Sequence, residues 1–410
     1  MKTFNYQKNI DRKCYSDMNS VNAIFLFFVF FIFVFRVKIG FFDLTPILFL
    51  WSVFYVILTK MKFNVVFFNF LIIYFVYICY RLSVQFINSQ LNYESHFFMR
   101  DVRFLMSSVS IYVISAWIIN KKYLPSKVII ILGSVLLIHP ILMYLQLFSP
   151  GVRLWFIEHL PFTDNYHAFR VNGLLNGYVP GGNFLGLISA YFFFLYSKYK
   201  VFVFLIIPFL FIPLFPISGL SGLASFIIGF FYFVVFKSGL RVKINVFVLS
   251  VVFSTVVITN YNSVVGFFPE IGKGFDRVLV LFGANDGEVN ATIDGSFSTL
   301  SNSYSIPNSA LNFIFGNAQA SKSEFSTTSS DSGLISNIHE FGFFGLFFIF
   351  SVLAFIIFFS GNDLISILVF CCLVIFLKVD LIFSRIVFDL IVLIFSMSLL
   401  SKEYRCSFRL

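Results

Sequence analysis

The stretch Arg170-Val171-Asn172-Gly173-Leu174-Leu175-Asn176-Gly177-Tyr178-Val179-Pro180-Gly181-Gly182-Asn183 sets one fixed cation beside four glycines, a proline and three amides, between two long apolar runs. A guanidinium carries a planar fork of donors that pairs bidentately with phosphate oxygens. Glycine lets backbone approach a ligand closely or take a positive φ, and Pro180 keeps the helix that follows from starting any earlier. Two readings stand side by side. In one, Arg170 faces an anionic ligand from a loop shaped by Gly173, Pro180 and Asn183; in the other, a plain connecting loop anchors its arginine at lipid headgroups.

Further fixed cations are Arg153, in the same polar stretch as Arg170, and Lys273 and Arg277 in a later one, with Lys322 beyond them. Charge-assisted hydrogen bonds contribute about 1.5–3 kcal/mol each, so two or three of them converging offset a departing diphosphate without a metal. For a base, Asp331-Ser332-Gly333-Leu334-Ile335-Ser336-Asn337-Ile338-His339-Glu340-Phe341-Gly342-Phe343-Phe344-Gly345 is the richest segment. Asp331 is placed to cap a helix that brings Ile335, Ile338 and His339 together, and Gly342 and Gly345 permit close helix contact. His339 or Glu340 at the mouth of a membrane cavity suits general-base work, against the plainer reading of a solvated helix end. Asp164 and His167, in the same loop as Arg170, are alternative bases. Asp286-Gly287-Glu288 has the spacing of metal-dependent sugar transferases but no surroundings that would build a nucleotide site, so no metal and no cofactor is expected.

The elements that must position these residues are membrane helices. Of 410 residues 59% are hydrophobic and 12% charged, a balance that cannot cover a water-facing surface. Apolar segments fall near 21–37, 39–59, 63–80, 104–119, 128–148, 181–197, 201–217, 220–236, 244–264, 341–359, 364–380 and 386–400. The fold expected is all-α, a polytopic transmembrane bundle of about twelve helices in one integral membrane domain. Alternating sides from a cytoplasmic basic N-terminus puts Lys60, Lys62, Lys121, Lys122, Lys127, Lys198, Lys200, Lys237, Arg241 and Lys243 inside, with both termini. The polar segments 81–103, 149–180 and 265–340 then lie outside. The net charge of +10 is scattered over short loops, which argues against nucleic acid. The phenylalanines read as packing and lipid-facing bulk, and His139-Pro140 as a kink with a satisfied imidazole.

Three of these features resemble the O-antigen polymerase and ligase family of bacterial envelope glycosyltransferases. Arg170-x-x-Gly173 followed by Pro180 and Asn183 is similar to the family's arginine-glycine segment entering a middle helix. Ser218-Gly219-Leu220-Ser221-Gly222 resembles its small-residue turn, and Asp331-Ser332-Gly333 with Glu340-x-Gly342 and Gly345 its segment leading out of a large external loop. Two departures stand out: two glycines separate Pro180 from Asn183, and Gly219 occupies a position where an arginine is frequent. The resemblance implies a GT-C-like membrane fold with the large external loop late in the chain. It also implies polymerisation of oligosaccharide repeats carried on undecaprenyl diphosphate, at the outer face of the bacterial inner membrane. Lipid is then the surrounding partner, and a chain-length regulator is a partner by family analogy. The alternatives are an O-antigen ligase, with the same architecture and a different acceptor, and a lipid-linked oligosaccharide flippase, for which charges along a central cavity and short outer loops are expected.

Overall fold

A computed structural model describes residues 18–35, 38–39, 42–88, 95–123, 125–159, 170–175, 178–237, 239–259, 309–317, 332–377 and 385–403, with the isolated positions 266, 271, 272 and 307. Among the described residues the first elements are α1 (Ser20–Phe35), a two-residue antiparallel pair β1 (Lys38–Ile39) and β2 (Phe42–Asp43), and α2 (Thr45–Thr59). Then come α3 (Val65–Asn88), α4 (Ser95–Asn120), α5 (Pro125–Phe148), the short α6 (Pro150–His159) and α7 (Tyr178–Tyr199). The apolar run 201–217 contains Pro208, Pro213 and Pro216, and is divided into α8 (Val203–Leu210) and α9 (Leu214–Ile217). Proline lacks the N–H that would continue the ladder. After it come α10 (Leu220–Tyr232), a π-helical turn (Phe233–Lys237), α11 (Leu240–Thr259), α12 (Ala310–Phe315), α13 (Gly333–Ser360), α14 (Asp363–Phe376) and α15 (Arg385–Glu403).

In lipid every backbone polar group must be satisfied within the chain, which is why apolar runs of this length become helices. Among the described residues, five helices are long and apolar enough to cross a bilayer: Val65–Asn88, Asp101–Asn120, Ser126–Phe148, Val179–Tyr199 and Gly333–Ser360. Six more apolar helices are shorter. Each apolar segment read from the sequence overlaps a described helix, though 39–59 begins on the β1–β2 pair, and five is the number of described helices that length and composition qualify as spans. The segments expected as external loops are more helical than anticipated. α3 and α4 take up all of 81–103 except 89–94, α6 occupies part of 149–180, and α13 begins inside 265–340.

Two packing systems organise the bundle. α3 and α4 form an antiparallel hairpin, with Phe67 stacked on Tyr112 at 4.0 Å, Tyr74 beside Phe104, and Arg81 ion-paired to Asp101. Phe388 of α15 packs into the Phe70, Tyr74 and Phe104 rings of this hairpin. Aromatic pairs of this kind contribute about 0.5–1.5 kcal/mol beyond the area they bury. The second system is α7 against α10. Gly182 meets Gly219 and Gly222, Gly186 meets Gly222 and Ser225, and Ala190 meets Gly229, so the positions rise together and the two helices run parallel. Small residues let the backbones touch, which is how helices associate where lipid removes the hydrophobic drive.

Candidate functional site

The loop led by Arg170 is built into the core. Val171 and Asn172 are fully buried, and the Val171 N–H donates to the Ile217 carbonyl. α5 holds this loop with two side chains two turns apart. Gln146 Oε1 accepts from the N–H groups of Asn172 (3.1 Å) and Gly173 (3.0 Å), and Gln146 Nε2 donates to the Gly173 carbonyl. His139 Nδ1 accepts from the Leu174 N–H, so the other ring nitrogen, Nε2, carries the proton and donates to the Gly181 carbonyl at 3.1 Å. Gly173 has φ +61°, and a Cβ there would meet the His139 ring at 2.5 Å. The glycines thus serve backbone packing first. Asn183, also buried, accepts the Ser221 hydroxyl at 2.6 Å, while its Nδ2 has no hydrogen-bond partner among the described residues.

Arg170 stands half-buried at the edge of this loop, and Arg153 is buried on α6. Lys273, Arg277, Asp164, His167 and Asp331 lie outside the described residues, as do Lys322 and the Asp286-Gly287-Glu288 triplet. The expected meeting of Arg170 with Arg277 therefore falls beyond what the structure describes.

α13 is capped by Ser332, which corrects the placement of the cap at Asp331. The Ser332 hydroxyl accepts from the Ile335 N–H and donates to the Leu377 carbonyl at 2.7 Å, tying the start of α13 to the end of α14. His339 and Glu340 follow on buried turns, each about 8% exposed, so they do not form a solvated helix end. Immediately after them the helix breaks at Gly342, with φ 64° and ψ −171°. The break is filled by α12: Gly316, at φ +82°, abuts the Glu340 carbonyl, the Asn317 N–H donates to the His339 carbonyl at 2.9 Å, and Gly342 abuts Ile314. Tyr80 of α3 adds a further tie, its hydroxyl donating to the Phe341 carbonyl at 2.7 Å with the Phe315 carbonyl of α12 at 3.2 Å from the same oxygen.

Next to Tyr80 comes the residue the sequence reading missed. Arg81 is fully buried, Nη1 donating to Asp101 Oδ1 at 2.9 Å, its guanidinium 4.2 Å from the centre of the Phe341 ring and 5.4 Å from that of Tyr77. Glu340, held by the Ser336 hydroxyl at 3.1 Å, directly precedes the Phe341 that covers this guanidinium. Three helices thus bring a guanidinium, two carboxylates and two tyrosines to the neighbourhood of the break in α13. The trace in the sequence was slight: one arginine and one aspartate at the facing ends of two apolar runs. Among the described residues no cluster of His, Cys, Asp and Glu could hold a metal ion.

Fold and site together define a polytopic α-helical membrane protein with ionised side chains buried between its helices. Comparison with protein-family models, curated protein sequences and solved structures finds no match to this chain.

Proposed function

We propose that the protein is a metal-independent glycosyltransferase of the O-antigen polymerase type. It joins oligosaccharide repeats carried on undecaprenyl diphosphate, at the periplasmic face of a bacterial inner membrane, in lipopolysaccharide biosynthesis. The observation that carries the reading is Glu340, a carboxylate buried at a helix break, held by Ser336 and one residue before the Phe341 ring that covers Arg81. In the reaction the hydroxyl oxygen of the incoming unit attacks the anomeric carbon of the donor. The bond from that carbon to the diphosphate oxygen breaks, its electron pair leaves with the diphosphate, and the hydroxyl proton passes to the base. Diphosphate leaves well without an acid, so cations that meet the forming charge matter most, and Arg170 and Arg277 take that role with Arg153 and Lys273 behind them. His339, Asp331, Asp164 and His167 are the other groups able to act as base.

A second reading draws on the same charges. A carrier lines its substrate path with ionisable side chains on broken helices, and Arg81, Asp101 and Glu340 at the Gly342 break meet that description. The lipid-linked oligosaccharide flippase is therefore the rival, ahead of the ligase. Surface polysaccharide from a strain carrying Arg170→Ala separates them. With the variant protein correctly inserted, a polymerase leaves a single repeat on the lipid core. A ligase leaves none while lipid-linked polymer accumulates, and a flippase leaves undelivered single units. Normal long-chain polymer from that strain removes Arg170 from the reaction.

A further inference from the structure

The six residues of α12, Ala310-Leu311-Asn312-Phe313-Ile314-Phe315, carry no charge, and their outer face is apolar. Leu311 is 68% exposed, with Ile314 and Phe315 exposed beside it at the spacing of one helix face. On α13, Phe343, Phe347, Phe350, Ala354 and Phe358 are exposed as well, again at steps of three and four. α13 is one of the helices long and apolar enough to cross a bilayer, so a stripe of exposed phenylalanines along it faces lipid. The stripe continues past the helix break. Phe343 stacks on Phe313 with ring centres 6.3 Å apart and Phe344 on Phe315 at 5.5 Å, which carries the apolar surface of α13 onto α12. A partner subunit laid on α12 would have to cover the lipid-facing phenylalanines of α13 too.

Helix length sets the depth. Phe343–Ser360 is eighteen residues, which at about 1.5 Å each reach about 27 Å, close to the ~30 Å of a hydrocarbon core. Gly361, in left-handed conformation, and the Asn362 cap of α14 mark its far end, so the break at Gly342 falls at the opposite boundary. Backbone that leaves a helix at such a depth is tolerated only where the protein satisfies it. Those ties are present. The Tyr80 hydroxyl donates to the Phe341 carbonyl with the Phe315 carbonyl 3.2 Å from the same oxygen, the Asn317 N–H donates to the His339 carbonyl, and the Gly316 N–H to the Asn312 carbonyl.

We propose that α12 is an interfacial helix seated in one leaflet of the bilayer, its face of Leu311, Ile314 and Phe315 covered by lipid acyl chains. A segment within the polar stretch 265–340 thus belongs to the membrane, and it holds the break in α13 at the depth of the headgroups. This seating does not depend on the polymerase reading.

A nitroxide label on Leu311→Cys, in the full-length protein in lipid vesicles, tests the seating. Cys14, Cys79 and Cys406 are replaced by serine, and the fully buried Cys371 and Cys372 are kept. Power saturation compares collisions with oxygen, which concentrates in lipid, against collisions with a water-soluble nickel chelate. Phe347→Cys is the lipid reference and Lys121→Cys, at an exposed turn, the water reference. The label at Leu311 should match the one at Phe347, with an oxygen-to-nickel ratio several-fold above that at Lys121. A ratio at the Lys121 level puts α12 in water and overturns the proposal. Low collision with both reagents means that protein covers the face, whether a second copy of the chain or the rest of 265–340, and overturns it as well. Should Leu311→Cys fail to insert, Ile314→Cys is read against the same two references, and the same two results overturn the seating.

Discussion

Gln146 shows how a single side chain decides what the Arg170 segment is. Its amide satisfies two backbone N–H groups and one carbonyl of the loop in a fully buried setting. A buried donor left unsatisfied costs about 1–3 kcal/mol. Gln146→Leu should therefore destabilise the protein by at least about 2 kcal/mol, read as a lowered midpoint in thermal unfolding in detergent. A change within error would show that the loop has other support. Tyr80→Phe, which removes one donor from the Phe341 carbonyl, should cost less, about 1–2 kcal/mol in the same measurement. In the sequence, Gln146 and His139 were two polar residues seven positions apart on an apolar run, and this spacing does put them on one helix face. What they would hold was not written there. Arg81 and Asp101 were harder still, because an ion pair between residues 20 apart exists only once α3 and α4 have folded back on each other.

At the scale of elements, the glycines divide by what surrounds them. On the α7–α10 seam a Cβ at Gly222 would run into the Gly182 backbone, whereas a Cβ at Gly151 of α6 meets nothing within 4 Å. Gly222→Ala should lower stability by about 1–3 kcal/mol through forced separation of the two helices. Gly151→Ala should be neutral or slightly stabilising, so equal effects in thermal unfolding would deny the seam its role. Gly342→Ala combines a backbone collision with Ile314 and a positive φ, and is expected to cost at least about 2 kcal/mol. The sequence reading took Gly342 as a point of close helix contact. The close contact is present, with α12, but the residue also redirects α13 just after the Phe341 ring that covers Arg81. That effect depends on a segment distant in sequence, Ala310–Asn317, filling the gap.

For the whole molecule, Lys60, Lys122 and Lys200 follow the ends of α2, α4 and α7 in left-handed backbone conformation. A cation there complements the negative end of each helix dipole and suits a headgroup layer. Single cysteines placed in 149–180 and in 265–340 should react with an impermeant reagent from one side of the membrane, and a cysteine replacing Lys122 from the other. Labelling of the two segments from opposite sides would remove the shared outer site on which the diphosphate assignment depends. The sequence by itself determined that this protein is helical and lives in lipid, because apolar composition and run length act locally and need no partner. It also marked His139, Arg170, His339 and Glu340 as side chains out of keeping with their surroundings. Only the tertiary structure decided that Arg81 pairs with Asp101 beneath Phe341, that Ser332 ties α13 to α14, and that the Arg170 loop hangs from α5. Each of these is a contact across helices whose geometry is set by packing, and packing is not encoded at any one position.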